Sequence, residues 1–294
     1  MAEWDLNGRA VLVTGAARGI GAESARRLAA RGARVALVGL EPAELERVAG
    51  ECPGAVFFEA DVTDRDALTA AVDGTVEALG GIDAVVANAG IGTVGFARSM
   101  DPATFERVLE VNLVGVWRTV RACLPHVIER RGYVLNVASL AAVAHTAGMS
   151  HYAAAKAGVE AFSNALRIEL RPLGVDVGVA YFGWIDTDMV RGGDAHPLGA
   201  QMRARLKGPP GRTSAVGDAA EALVAGVERR ARIVAFPRFV RAMIAARSLV
   251  QPLLDLEARR HTAQDDRLAE ELGPEATVPV GAGGAADRAE TVRR

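Results

Sequence analysis

Three side chains in one short stretch could together move a proton. Ser139 closes a predicted strand, and Tyr152 and Lys156 stand four residues apart at the start of a predicted helix. An i, i+4 pair shares one helical face, so phenol and ammonium lie side by side. An ammonium beside a phenol favours the phenolate, which makes the tyrosine a better proton donor and acceptor near neutral pH than its reference pKa of about 10 allows. Standing alone, a Tyr-x-x-x-Lys pair is a weak signal, because solvated helix faces carry it by chance. Its meaning depends on what the rest of the chain places around it.

A phosphate site is the first such neighbour. An apolar strand at 9–14 runs straight into Gly15-Ala16-Ala17-Arg18-Gly19-Ile20-Gly21, and a helix follows whose inner face is Ala22, Ala25, Leu28 and Ala29. Glycines let backbone approach a phosphate at a helix N-terminus, where free N–H groups such as that of Ile20 and the helix dipole favour anions. The spacing is G-x-x-x-G-x-G, not the G-x-G-x-x-G of the general dinucleotide fingerprint. Asp61-Val62 follows the third strand, and Asn88-Ala89-Gly90 the fourth. Asp61 could accept from an adenine amino group, and Asn88, Ala89 and Gly90 could close the pocket floor. Each is also an ordinary turn residue.

These residues need a scaffold, and the hydrophobic pattern supplies one. Predicted strands at 9–14, 33–38, 56–60, 82–87, 133–138, 175–181 and 232–236 alternate with helical stretches. Such alternation reads as right-handed βαβ units and a single α/β, doubly wound parallel sheet with helices on both faces. In open α/β sheets ligands lie beyond the carboxyl ends of the strands, where the glycines and polar residues gather here. Residues 1–236 show no internal repeat and no linker. Residues 237–272 read as a C-terminal helical extension, and 273–294, rich in Pro, Gly, Ala and charge, as a mobile tail.

Composition narrows the class. Half of the 294 residues are apolar and the net charge is −2, so no global field argues for nucleic acid. Cys52 and Cys123 lie far apart and read as buried thiols of a reducing compartment. His126, His145, His151, His196 and His261 show no ligand spacing, so no metal site is expected. No basic, apolar leader opens the chain and no apolar run reaches the ~18 residues a membrane span needs. A soluble, cytoplasmic protein is expected.

Taken together, Thr14 to Gly21, Asp61, Asn88-Ala89-Gly90, Asn112, and Ser139 thirteen residues before Tyr152 with Lys156 four after it, resemble the short-chain dehydrogenase/reductase family over about residues 5–236. That resemblance implies one Rossmann-type domain that binds NAD or NADP and moves hydride to or from a carbonyl carbon. It further implies Tyr152 as general acid/base, Ser139 as the donor that orients the substrate oxygen, and Lys156 as the group that lowers the tyrosine pKa and holds the nicotinamide ribose. Asn112 would bind a water that relays protons to Lys156. After the sixth strand, where the family usually has Pro-Gly, the chain reads Tyr181-Phe182-Gly183-Trp184-Ile185-Asp186-Thr187; Gly183 and Thr187 still match, Phe182 and Trp184 add aromatic bulk, and Ile185 and Thr187 become candidates to contact the carboxamide. At the end of the second strand Gly39 stands where NAD-preferring members carry an acid, and Leu40 where many NADP-preferring members carry Arg. Arg18 could pair with a 2′-phosphate, while Glu41 opposes it if turned inward. The expectation is NADP(H), slightly preferred over NAD(H).

A small apolar carbonyl or alcohol substrate is expected, because the loop at 141–150 and the segment at 189–211 offer Met, Val, Ala, Leu and His145, with only Arg191, Arg203 and Arg205 as charged clamps. Eight arginines face three carboxylates between Gly226 and Arg260. A helix started by Pro237 would set Phe239, Met243, Ala246 and Val250 on one face, with a bend or end at Pro252. Such a basic amphipathic helix could touch a membrane surface, cover an apolar pocket, or pack on a sister subunit of a homodimer or homotetramer. A nucleotide-binding redox sensor or scaffold without turnover is the competing reading; the filled catalytic positions argue against it.

Overall fold

A computed structural model describes residues 4–293. The apolar run Ala10–Thr14 (β1) is buried at every position and lies inside the sheet, paired on both sides. Arg34–Gly39 (β2), Val56–Glu59 (β3), Ala84–Ala87 (β4), Tyr133–Val137 (β5), Asp176–Phe182 (β6) and Ile233–Phe236 (β7) complete it in the order β3-β2-β1-β4-β5-β6-β7, with every pair parallel. Strands buried on both faces have no need to alternate apolar with polar, which is why they read as near-continuous Val, Leu and Ala. Val11, Val13, Val35 and Leu37 pack under the helices Gly19–Ala30, Pro42–Gly50 and Val216–Glu228. Leu12, Val38 and Val85 pack under Arg65–Leu79, Gly115–Glu129 and Ser150–Leu170 on the other face.

The sheet order reverses between β1 and β4, and a crevice opens at their carboxyl ends. Both glycine-bearing turns, 15–21 and 88–90, lie there. Among the described residues no helix is long and apolar enough to cross a membrane.

The C-terminal third departs from its sequence pattern. The helix after Pro237 breaks at Ala246, giving Arg238–Ala245 and Arg247–Ala258, while Pro252 lies inside the second piece. Val240 and Ile244, not Ala246 and Val250, are its buried side chains. A tertiary contact accompanies the break: Arg247 Nη1 reaches the buried Glu160 Oε1 at 2.7 Å. Residues 273–293, expected to be a mobile tail, instead form a short turn at Pro274–Thr277 and a helix at Gly281–Arg293. Composition misled there because small residues also allow close packing: Thr277 and Asp287 are buried.

Candidate active site

β5 delivers the first member of the proton-moving group. Two residues past its end, Ser139 is fully extended and its Oγ accepts from the Ala141 N–H at 3.2 Å, starting a single tight turn. The Ser150–Leu170 helix then runs back past this point and presents Tyr152 and Lys156. Lys156 is buried and its Nζ donates to the Val137 carbonyl at 2.9 Å, so the end of β5 positions both serine and lysine. Tyr152 shares a hydrogen bond with Ser139, and Lys156 Nζ lies 5.7 Å from the Tyr152 ring centre.

The electrostatics differ from the sequence expectation. Burial pushes the Tyr152 phenol above its ordinary value, and the hydrogen bond with Ser139 offsets only part of that. Burial likewise pulls Lys156 down to about 8. Desolvation penalises both charged forms and outweighs the stabilisation an ammonium would lend a phenolate. The phenol is therefore protonated at neutral pH and poised to donate.

Asn112 sits in a π-helical turn, Glu110–Val114, and is wholly buried. Its Oδ1 accepts from Ile91 N at 2.8 Å and its Nδ2 donates to Ile91 O at 2.7 Å. Both halves of the amide are thus committed to the loop after β4. A proton-relaying water would have to rest on the Asn112 backbone, not on its side chain.

The glycine turn is built for close approach. Gly15 has φ +64°, and a Cβ there would lie 2.8 Å from Ala89 Cα. At Gly21 a Cβ would lie 2.1 Å from the Gly15 carbonyl oxygen. Thr14 ties the two turns together: its Oγ1 accepts from Asn88 N at 3.1 Å and Ala89 N at 3.2 Å, and Asn88 Nδ2 donates back to Thr14 O at 3.1 Å. Gly21→Ala should consequently shift the turn and lower dinucleotide affinity by about tenfold or more. Cofactor titration with a thermal melt as control checks this; unaltered binding would show that the turn is no phosphate cradle.

A cleft of about 220 Å³ opens above this turn. Of the residues expected to touch a cofactor, Gly15, Arg18, Gly19, Ile20, Gly39, Asp61, Val62, Asn88, Ala89, Gly90, Tyr152, Lys156, Gly183, Ile185 and Thr187 all line it. Gly21 and Asn112 act from beneath. Asp61 resists the cost of burial because the Thr63 N–H at 2.8 Å and Arg107 Nη2 at 3.1 Å hold its carboxyl below the usual range. Arg18 is already engaged: its Nε donates to Glu41 Oε1 at 2.9 Å and its Nη1 to Asp188 Oδ2 at 3.2 Å. Arg107, which pairs with Asp61, and the stretch 280–287 went unnoticed in the sequence as parts of the cleft. The last had no signal of its own, since only the tertiary fold brings it here.

A second cavity of about 240 Å³ meets the cleft at Ser139 and Tyr152. Its walls are mainly apolar and include Val94, Leu140, Met149, Met202, Met243 and Leu254. Leu254 reaches this cavity, whereas Leu253 and Leu256 on the same helix are largely exposed. Of the three arginines weighed as clamps, Arg203 alone reaches the cavity, stacked 4.3 Å from the Trp184 ring centre with Asp194 Oδ1 at 3.3 Å. Arg191 pairs with Asp186 and Asp188, and Arg205 with Asp265. Among the described residues no His, Cys, Asp or Glu group is arranged to hold a metal ion.

A family model described as short chain dehydrogenase matches residues 9–197. The chain belongs to that family. It is 36% identical over 205 residues to (-)-trans-carveol dehydrogenase of Rhodococcus erythropolis, covering 63% of this chain and 74% of the relative. An uncharacterized oxidoreductase of Myxococcus xanthus is 32% identical over 262 residues, 87% of this chain and 98% of that one. A short chain dehydrogenase from Mycobacterium paratuberculosis, solved bound to NAD, superposes with a TM-score of 0.70 at 28% identity, over 79% of this chain and 97% of the other. This short-chain dehydrogenase is accordingly an NAD(P)-dependent oxidoreductase that interconverts alcohols and carbonyl compounds. The reading as a scaffold without turnover falls away.

Proposed function

We propose that the substrate is a bulky apolar alcohol or the matching ketone, with Tyr152 as its general acid/base. The observation that carries this is the junction itself: a polar, glycine-floored cleft and an apolar cavity meet at the two hydroxyls of Ser139 and Tyr152. Among the described residues, the one guanidinium lining the apolar cavity, Arg203, has Asp194 as its counter-charge, which leaves little for a substrate carboxylate. A similar protein named for carveol, an alcohol, fits the same reading.

A nicotinamide held by the residues lining the cleft would supply the hydride donor or acceptor. Ser139 Oγ donates to the substrate oxygen and fixes its position. As carbonyl carbon becomes alcohol carbon, negative charge grows on that oxygen, and Tyr152 passes its proton there. Lys156, held by Val137, stands next to the phenol and the ribose end of the cleft. The Asn112 backbone supplies the outer end of the relay. A screen of apolar secondary alcohols and ketones with NAD and NADP, followed by nicotinamide absorbance, tests the assignment; turnover confined to charged or small hydrophilic substrates would sink it.

Charge in the ribose pocket favours NAD(H), reversing the sequence expectation. Arg18 is neutralised by Glu41 and Asp188, so a 2′-phosphate would have to displace a carboxylate while meeting another. Glu41 also takes the place of the acid missing at Gly39. Glu41→Gln should free Arg18 and move the NADP-to-NAD affinity ratio towards NADP by about tenfold. Titrating both cofactors into both proteins checks it, and wild-type preference for NADP would refute the premise.

A homodimer or homotetramer remains our reading of the assembly. Exposed Trp117, Ile168 and Leu173 support it, being large apolar side chains a sister subunit would cover. A cytoplasmic setting is supported by the free, buried thiols of Cys52 and Cys123.

A further inference from the structure

The helix Gly281–Arg293 lies along the cofactor cleft, and nothing in the dinucleotide fold requires it. Two hydrogen bonds bring the chain there: Thr93 Oγ1 donates to Thr277 O at 2.5 Å, and Val280 N to Gly92 O at 2.9 Å. Gly281, at φ +74°, packs so tightly that a Cβ would lie 2.5 Å from the Asp188 carbonyl oxygen. Gly283 comes next to the Arg18 side chain. One turn further, Asp287 meets Arg107 Nη2 at 2.7 Å, and the same nitrogen reaches Asp61 at 3.1 Å. The segment thus runs from the Asp188 side to the Asp61 side of the cleft, with Val280, Gly283, Gly284, Ala286 and Asp287 in its wall. Its fastening at the Asp61 end is an ion pair whose aspartate is 3% exposed.

We propose that residues 280–287 form a strap closing the dinucleotide cleft, latched by Arg107 and Asp287, and that opening of this strap sets the rate of cofactor exchange. The proposal rests on the reading that the cleft holds a nicotinamide dinucleotide. Small residues face the cleft, so the strap lies close over a ligand without filling its space. Neutralising Asp287 leaves Arg107 paired with Asp61 alone, so the strap loses its buried, charge-assisted fastening while the cleft wall keeps its own ion pair.

Asp287→Asn in the full chain keeps the volume and removes the charge. Release of reduced cofactor, followed by stopped-flow fluorescence on chasing with excess oxidised cofactor, should quicken by about tenfold or more in this variant. Amide hydrogen exchange across 281–292 of the wild-type protein should slow when the reduced cofactor is added. Unchanged release in a folded variant overturns the strap. If the variant does not fold, the exchange measurement decides: protection supports the strap and none overturns it. Wild-type protein that binds neither NAD(H) nor NADP(H) rejects the dinucleotide reading itself, a separate failure.

Discussion

Tyr152→Phe should lower turnover by ~10²-fold or more while leaving cofactor affinity nearly unchanged. The substitution removes one oxygen from a side chain that lines both cavities, so the loss falls on proton transfer and not on shape. A pH series separates this from simple misplacement. Burial raises the phenol's pKa, so the protonated donor is the resting form at neutral pH. Carbonyl reduction, which consumes that proton, should be favoured at neutral pH; alcohol oxidation needs the phenolate and should climb into the alkaline range. The phenylalanine variant should lose both limbs. Initial rates in each direction from pH 6 to 10 check this, and a variant that keeps wild-type rates on a true substrate would remove Tyr152 from the mechanism.

Which features could be read in the chain depended on how local their cause was. The strands at 9–14 and 133–138 were legible because a strand buried on both faces is a short apolar run, and the observed β1 and β5 differ from them by one residue at an end. That Ser139, Tyr152 and Lys156 come together was legible through spacing, since a strand end and one helical turn fix their relation, whereas the roles expected of them came from the family resemblance. What was not legible came from partners distant in sequence. Glu41 and Asp188 engage Arg18 across 23 and 170 positions, a pairing that the spacing around Gly19 could not reveal. The phenol's environment follows from how deeply the helix lies, not from the i, i+4 lysine. The stretch 281–287 has the composition of a linker, and contacts far apart in sequence, such as Arg107 180 residues upstream of Asp287, give it a place.

Lys156→Met should abolish most activity and yet stabilise the cofactor-free protein at neutral pH. Burial lowers the Lys156 pKa from its ordinary 10.5 to about 8. Between those two values the unfolded chain holds a proton that the folded one has released, so stability rises with pH across that window. Below pH 8 the native state carries the full burden of a buried ammonium, on the order of 3 kcal/mol. Methionine has a similar length and no charge; it forfeits the hydrogen bond to the Val137 carbonyl, a net loss of about 1 kcal/mol. The balance leaves the variant about 2 kcal/mol more stable at pH 7, worth roughly 3 °C in Tm for a chain of this size. By pH 10 the advantage should have shrunk or vanished, because the wild-type lysine is then neutral in the folded state. The difference between the two proteins isolates this one group, since every other titrating side chain is common to both. Thermal melts of both at pH 7 and pH 10, without cofactor, carry the test. A variant that melts below wild type at pH 7, or a gap that does not narrow with pH, would mean that the ammonium is not a buried burden. A conserved rate would mean that the chemistry does not need it.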